Sequence, residues 1–223
     1  MRNNIIDFIR GIAFILMLIH HIYYFNPNTS VPNHIEIIGK ISRTIFIILV
    51  GVCMSIFNNN NNNNKYKTSW KTLKYALIVS LVTYLLLPHN NIIFFCVLHF
   101  ITFSTFLMKN ISSNISLTIL IGILSVLLNN ISFKYLGSSD IINLIFNGYS
   151  RKLQPIDIFP IFKFLPYVIS GIILGKYIKD NNILPESKIN KPIEFIGKYS
   201  LELYLIHIIP CIFWMKNKNN YIS

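Results

Sequence analysis

The sequence predicts an all-α, polytopic transmembrane helix bundle of about seven spans with a cytoplasmic N-terminus. Three observations predict it. Of 223 residues, 53% are hydrophobic and only 13% are charged, against about 25% charged in an ordinary soluble domain. The apolar residues gather in runs approaching the roughly 20 residues that cross a bilayer, and the mean hydropathy is +0.53. The net charge of +12 sits in short segments between those runs, which is how membrane topology is encoded. So few charges cannot solvate a globule surface, which argues against a soluble enzyme and a disordered chain alike. With no nucleic-acid-binding motif and no soluble basic domain, the basic excess points to the bilayer rather than to DNA or RNA. The length suits one domain, residues 1–223.

The first span covers about residues 5–25. Asp7 and Arg10 interrupt its start and no small-x-small cleavage site follows His21, so it reads as a retained helix rather than a signal peptide. The second covers about residues 36–57. Residues 58–67 are an Asn-rich, low-complexity cytoplasmic loop. The third and fourth spans cover about residues 75–87 and 92–108, and the fifth about 115–128. Residues 129–160 form a long outer loop, polar enough to cover or line a site. The sixth span covers about residues 161–178 and the seventh about 193–214.

The loops give orientation. Lys65, Lys67, Lys71 and Lys74, then Lys176, Lys179, Lys188 and Lys191, with Arg2 and Lys109, all fall on one side. That basic side is cytoplasmic. Cys53, Cys96 and Cys211 lie inside apolar runs with no metal-ligand spacing, so no metal is expected. Abundant Asn, Ile, Lys, Phe and Tyr suit an AT-rich microbial genome, which places the protein in the cell membrane of a microbe.

Ionisable groups inside spans are costly and mark bundle interiors or wet cavities. Asp7 and Arg10 are three residues apart on one helix face. His21, eleven beyond Arg10, returns to within about 20° of that face, whereas His20 is turned off it by about a right angle. His21, Arg43, His99 and His207 can then meet in one layer of the outer half of the bilayer, with Asp157 capping it from outside. A desolvated imidazole stays neutral and can act as a base.

These residues sit in segments that resemble the heparan-α-glucosaminide N-acetyltransferase-like family of membrane acyltransferases, including its microbial members. The segments are Ile6-Asp7-Phe8-Ile9-Arg10-Gly11 with His21, and Arg43 followed by Phe46 to Gly51. They continue with Cys96-Val97-Leu98-His99, with Asp157-Ile158-Phe159-Pro160 running on to Gly171 and Gly175, and with Phe195-Ile196-Gly197 through Ser200, Tyr204 and His207. They keep the family's order over nearly the whole chain. The resemblance implies acyl, typically acetyl, transfer from acetyl-CoA to a sugar amine or hydroxyl across the membrane. The implied partners are acetyl-CoA, a sugar or glycolipid acceptor and the lipid bilayer, and an oligomer is left open.

On that resemblance His21, His99, Asp157 and His207 are the catalytic candidates. His21 is the base or acetyl acceptor, His99 an oxyanion donor, and Asp157 an orienting carboxylate or sugar ligand. Arg10 and Arg43 are the cofactor-binding candidates, with Arg10 and neighbouring Lys meeting the CoA phosphates. Asp7, His20, Ser200 and Tyr204 support them, and His20 competes with His21 for the role of base. Gly11, Gly51 and Gly171 permit close helix packing. Phe25 departs from the acidic residue that microbial members often place four after the histidine. The rival readings are a small transporter or channel with an intramembrane His/Asp relay, and a non-catalytic membrane subunit.

Overall fold

The computed structural model describes residues 3–26, 30–57, 62–86, 96–109, 111–130, 140–148, 158–181, 183 and 190–220. Their secondary structure is helical: α1 Asn4–Tyr24, α2 Asn33–Ile56, α3 Asn62–Leu86, α4 Val97–Met108, α5 Ile115–Asn130, α6 Asp140–Asn147, α7 Ile161–Asp180, α8 Lys191–Lys198 and α9 Ser200–Asn220. Among the described residues α1, α2 and α7 are long and apolar enough to cross a membrane, and α4, α5 and the first half of α9 are shorter apolar helices. Asn3 caps α1, its side-chain oxygen accepting the Ile5 N–H at 2.9 Å.

Two close approaches of backbone set the frame. A Cβ on Gly51 of α2 would run into the Val168 carbonyl of α7, and one on Gly171 of α7 into the Ile48 carbonyl of α2. The two helices therefore touch backbone to backbone, as small residues allow in bundles packed without a hydrophobic drive from water. The second approach joins α1 to α8, where a Cβ on Gly197 would meet the Asp7 carbonyl and one on Gly11 the Ile193 carbonyl. Ser42 of α2 adds a polar tie to α1, donating to the Ala13 carbonyl at 2.6 Å. Polar side chains bonded to backbone in this way satisfy groups that lipid would leave unpaired.

The interior divides into two main apolar clusters. One gathers Phe14, Cys96, Leu98, Tyr204 and Ile208 from α1, α4 and α9 and the residue capping α4. The other gathers Ile47, Phe100, Phe164, Val168 and Ile172 around α2 and α7. The outward faces carry many large apolar side chains: Leu85 of α3 is 70% exposed and Ile206 of α9 is 64%. Faces this apolar are tolerated by lipid rather than by water.

Three sequence expectations change. The seventh span is not one helix: α8 ends at Lys198, the φ of −107° and ψ of 18° at Tyr199 leave the helical region, and α9 starts at Ser200. Seating Gly197 on the α1 backbone turns the chain there. The segment 58–67, expected as loop, contains the start of α3 at Asn62, with residues 58–61 outside the described set. The buried faces of Ser69 and Thr72 anchor α3 well before the apolar run at 75–87, and the helix extends backward from them. The loop 129–160 contains α6, whose Leu144 is buried.

The backbone contact yields a stability test. Gly51→Val destabilises the folded bundle by about 1–3 kcal/mol, the usual cost of overpacking. At Gly122 the nearest atoms are Ile169 side-chain carbons at 3.3 Å or more, so Gly122→Ala has little effect. Thermal unfolding in detergent checks both, and equal shifts for the two variants would contradict the α2–α7 contact.

Candidate functional site

One cavity of about 1140 Å³ runs between α1, α2, α3, α4 and the α8–α9 turn. Its wall includes Asp7 and His21 of α1, which are about 21 Å apart along the axis at 1.5 Å per residue. At the Asp7 end stand Arg10, Lys71, Lys109 and Lys198, with Asp7 and Glu202 as the acidic groups; at the far end stand His20, His21, Arg43 and Phe159. The stretch between is lined largely by apolar side chains such as Met17, Phe46 and Val50.

At the first end the three-residue spacing of Asp7 and Arg10 does what the helix turn dictates. Arg10 donates to the Asp7 carboxylate at 2.8 Å, and its other terminal nitrogen donates to the Cys53 sulfur of α2 at 3.1 Å. Pairing allows Asp7, 3% exposed, to remain inside the bundle. Lys71 of α3 pairs with Glu202 of α9. Four cations against two carboxylates leave this end net positive, suited to an anionic ligand.

At the far end α1 meets α9. His21 Nδ1 lies 2.9 Å from His207 Nε2, with the two rings nearly parallel at 20°. His207 Nδ1 lies 3.3 Å from the Leu203 carbonyl. A carbonyl only accepts, so His207 Nδ1 carries the proton and, in the neutral ring, Nε2 is a bare acceptor. His21 Nδ1–H then donates to it, and the lone pair of a neutral His21 sits on Nε2. The His207 ring is held edge-on by Phe14 at 5.7 Å and Tyr204 at 5.1 Å, so the acceptor atom is fixed in direction. His21 is on the cavity wall, and His207 stands behind it, off the wall. This is an imidazole oriented by a second group, the arrangement a positioned base or nucleophile needs.

His20 is held differently. Its ring fills the space left by the absent side chain of Gly39 and stacks on Tyr24 at 5.5 Å. Among the hydrogen bonds of the described residues, the pair formed with an imidazole partner belongs to His21, not His20.

The remaining sequence candidates fall at several places. Ser200 and Tyr204 are both on the cavity wall and buried. His99 is off it: its Nε2 lies 3.3 Å from Ser80 Oγ of α3 and its Nδ1 3.3 Å from Cys96 Sγ. The neighbouring Leu98 takes the wall, and the turn of about 100° per residue carries His99 toward α3. Asp157 lies outside the described residues. Arg43 is at the His21 end, its guanidinium 5.0 Å from the Phe159 ring centroid, rather than beside Arg10. Sequence reasoning missed Cys53, Ser80 and the Leu203 carbonyl. Ser80 and the carbonyl carry no signal of their own, and Cys53 reads as an ordinary apolar residue until Arg10 is brought against it.

Comparison with known proteins gives one family. Residues 2–209 match the description Heparan-alpha-glucosaminide N-acetyltransferase, catalytic. No curated protein and no solved structure matches the chain.

The imidazole geometry has a spectroscopic consequence. At neutral pH, ¹⁵N-histidine NMR of the protein in nanodiscs shows His21 and His207 both protonated at Nδ1, the minority form of free histidine. In His207→Phe the His21 signal moves toward the ordinary Nε2–H form. An Nε2–H signal for His21 in the wild type would contradict the directed pair.

Proposed function

Because the chain belongs to the heparan-alpha-glucosaminide N-acetyltransferase catalytic family, we propose that it is an integral-membrane acyltransferase that moves an acetyl group from acetyl-CoA to a sugar amine or hydroxyl. The observation that carries this reading is the single cavity that joins a cationic end at Arg10, Lys71, Lys109 and Lys198 to the oriented His21. Acetyl-CoA has the matching shape: phosphates at one end, a thioester at the other, and an extended arm of the same order of length between them.

In this reading α1, α2 and α7 span the bilayer, and α3, α4, α5 and the α8–α9 segment complete about seven crossings. The N-terminus faces the cytoplasm of a microbial cell. The cationic end then meets cytoplasmic acetyl-CoA, with Arg10 and the lysines holding the phosphates through charge-assisted hydrogen bonds. His21 and the acceptor meet in the outer half of the membrane. Ser200 and Tyr204 line the path of the arm. His99 braces the wall from behind Leu98.

The chemistry derives from the free Nε2 of His21. It takes the proton of the acceptor amine or hydroxyl while the acceptor nitrogen or oxygen bonds to the thioester carbon. The tetrahedral oxyanion then collapses, the C–S bond breaks, and the proton passes from His21 to the departing CoA sulfur. His207 accepts from His21 Nδ1 throughout and stabilises the imidazolium that forms. In the covalent variant Nε2 itself bonds to the thioester carbon and the Nδ1 proton moves to His207; the C–S bond breaks and the CoA sulfur leaves as thiol with that proton. In a second step the acceptor bonds to the acetyl carbon, the C–N bond to His21 breaks and the acceptor's proton returns to His21.

Release of CoA thiol from acetyl-CoA in proteoliposomes supplied with amino sugars tests the reading. His21→Ala lowers it by about 10²–10⁴-fold, the usual contribution of a positioned base, and His207→Ala lowers it by a smaller factor. CoA release that survives His21→Ala unchanged would overturn the assignment; solute transport with no CoA chemistry would support a transporter instead. Radiolabelled acetyl-CoA separates the two routes: label retained on wild type and lost in His21→Ala marks the covalent one.

A further inference from the structure

We infer that Arg43 is the docking point for an anionic group of the acceptor, so that the acceptor is a sugar bearing phosphate or carboxylate close to the amine or hydroxyl that is acylated. The acylation of that sugar rests on the acyltransferase reading, whereas the anion site rests on the geometry of Arg43.

A guanidinium within a span is expected to pair or to reach an interface. Among the described residues Arg43 does not pair, although it lies only three residues, about 4.5 Å along the axis, beyond Lys40, which is exposed and paired with Glu36; its guanidinium packs on the Phe159 ring instead. The contrast with Arg10 is direct: Arg10 has Asp7 and Cys53, while among the described residues Arg43 has no ion pair and no hydrogen bond. Its contacts are with aromatic faces, the Phe159 centroid at 5.0 Å and the Phe164 centroid at 5.9 Å. Such stacking holds the cation in place but leaves its fork of N–H donors without an acceptor.

The surroundings add to the positive field. The Lys163 ammonium lies 5.7 Å from the Phe164 centroid, so two cations share one ring. No carboxylate among the described residues pairs with either. Arg43 and Phe159 both stand on the cavity wall with His20 and His21. The planar fork of an arginine takes phosphate or carboxylate oxygens in pairs, and a lysine there would supply only a point charge. An anion held by this fork brings the group attached to it to the His21 end of the cavity, opposite the cationic end proposed for CoA.

The test uses the full chain in nanodiscs without acetyl-CoA, and measures equilibrium dialysis of three probes: glucosamine, glucosamine 6-phosphate and 2-amino-2-deoxyglucuronate. The wild type binds at least one anionic sugar about tenfold or more tighter than glucosamine, as one well-placed charge-assisted pair implies. Which of the two binds better separates phosphate from carboxylate. Arg43→Gln removes the preference, and Arg43→Lys restores part of it. The ¹⁵N signals of His21 and His207 report that each variant is folded, and if Arg43→Gln fails this check the Arg43→Lys loss carries the result. Equal affinity for the charged and uncharged sugars, or a preference that survives both substitutions, overturns the inference. Adding acetyl-CoA then separates the two readings. Arg43-dependent binding without acetyl transfer refutes the acyltransferase and leaves the anion site standing. Transfer with no charge preference does the reverse.

Discussion

The hydrogen bond between His21 and His207 joins residues 186 positions apart, and the far end of the cavity depends on it. It brings α9, from the end of the chain, against α1, from its beginning. In an apolar bundle a lone imidazole loses water and gains little, so a ring that finds a polar partner is favoured over one that does not. His207 finds such partners in the backbone of its own helix, the Leu203 carbonyl among them, and in the His21 ring. The first sets its proton, and that proton sets which atom of His21 is bare. The direction in which the His21 lone pair points is therefore fixed by a carbonyl four residues back along α9.

The space in front of that pair exists because other helices are pinned elsewhere. Backbone contact at Gly51 and Gly171 draws α7 onto α2, and contact at Gly11 and Gly197 draws α8 onto α1. Helices held this tightly along one side diverge along another when the third and fourth neighbours, α3 and α4, are held by side chains instead. Ser69 donates to Thr105 at 3.2 Å between them, and the Lys71–Glu202 pair ties α3 to α9.

The charges within it are sorted along its length. Cations met by carboxylates gather at the Asp7 end, and Arg43, held on aromatic rings, stands at the other. In the proposed reading, a donor whose charged end meets the Asp7 end presents its carbonyl to His21, and an acceptor held at Arg43 approaches from the opposite side. Two substrates meeting at one imidazole from opposite ends is the arrangement that the proposed transfer uses.

The sequence by itself determined the helical class and the positions of α1, α2 and α7, because span length and apolar composition are local properties. The pairing of Asp7 with Arg10 was also legible, since three residues on a helix bring two side chains together whatever surrounds them, and so was the small-residue character of Gly11, Gly51 and Gly171. Other features were decided only when the helices were packed. Which of His20 and His21, one residue and about 100° apart, pairs with an imidazole turned on which ring α9 came to face. His99, expected in the layer of His21, turns to Ser80 while Leu98 takes the wall. The break between α8 and α9 came from seating Gly197 on the α1 backbone. Each of these depends on a neighbour far away in the chain, and helix periodicity says which side chains share a face but not which other helix that face will meet.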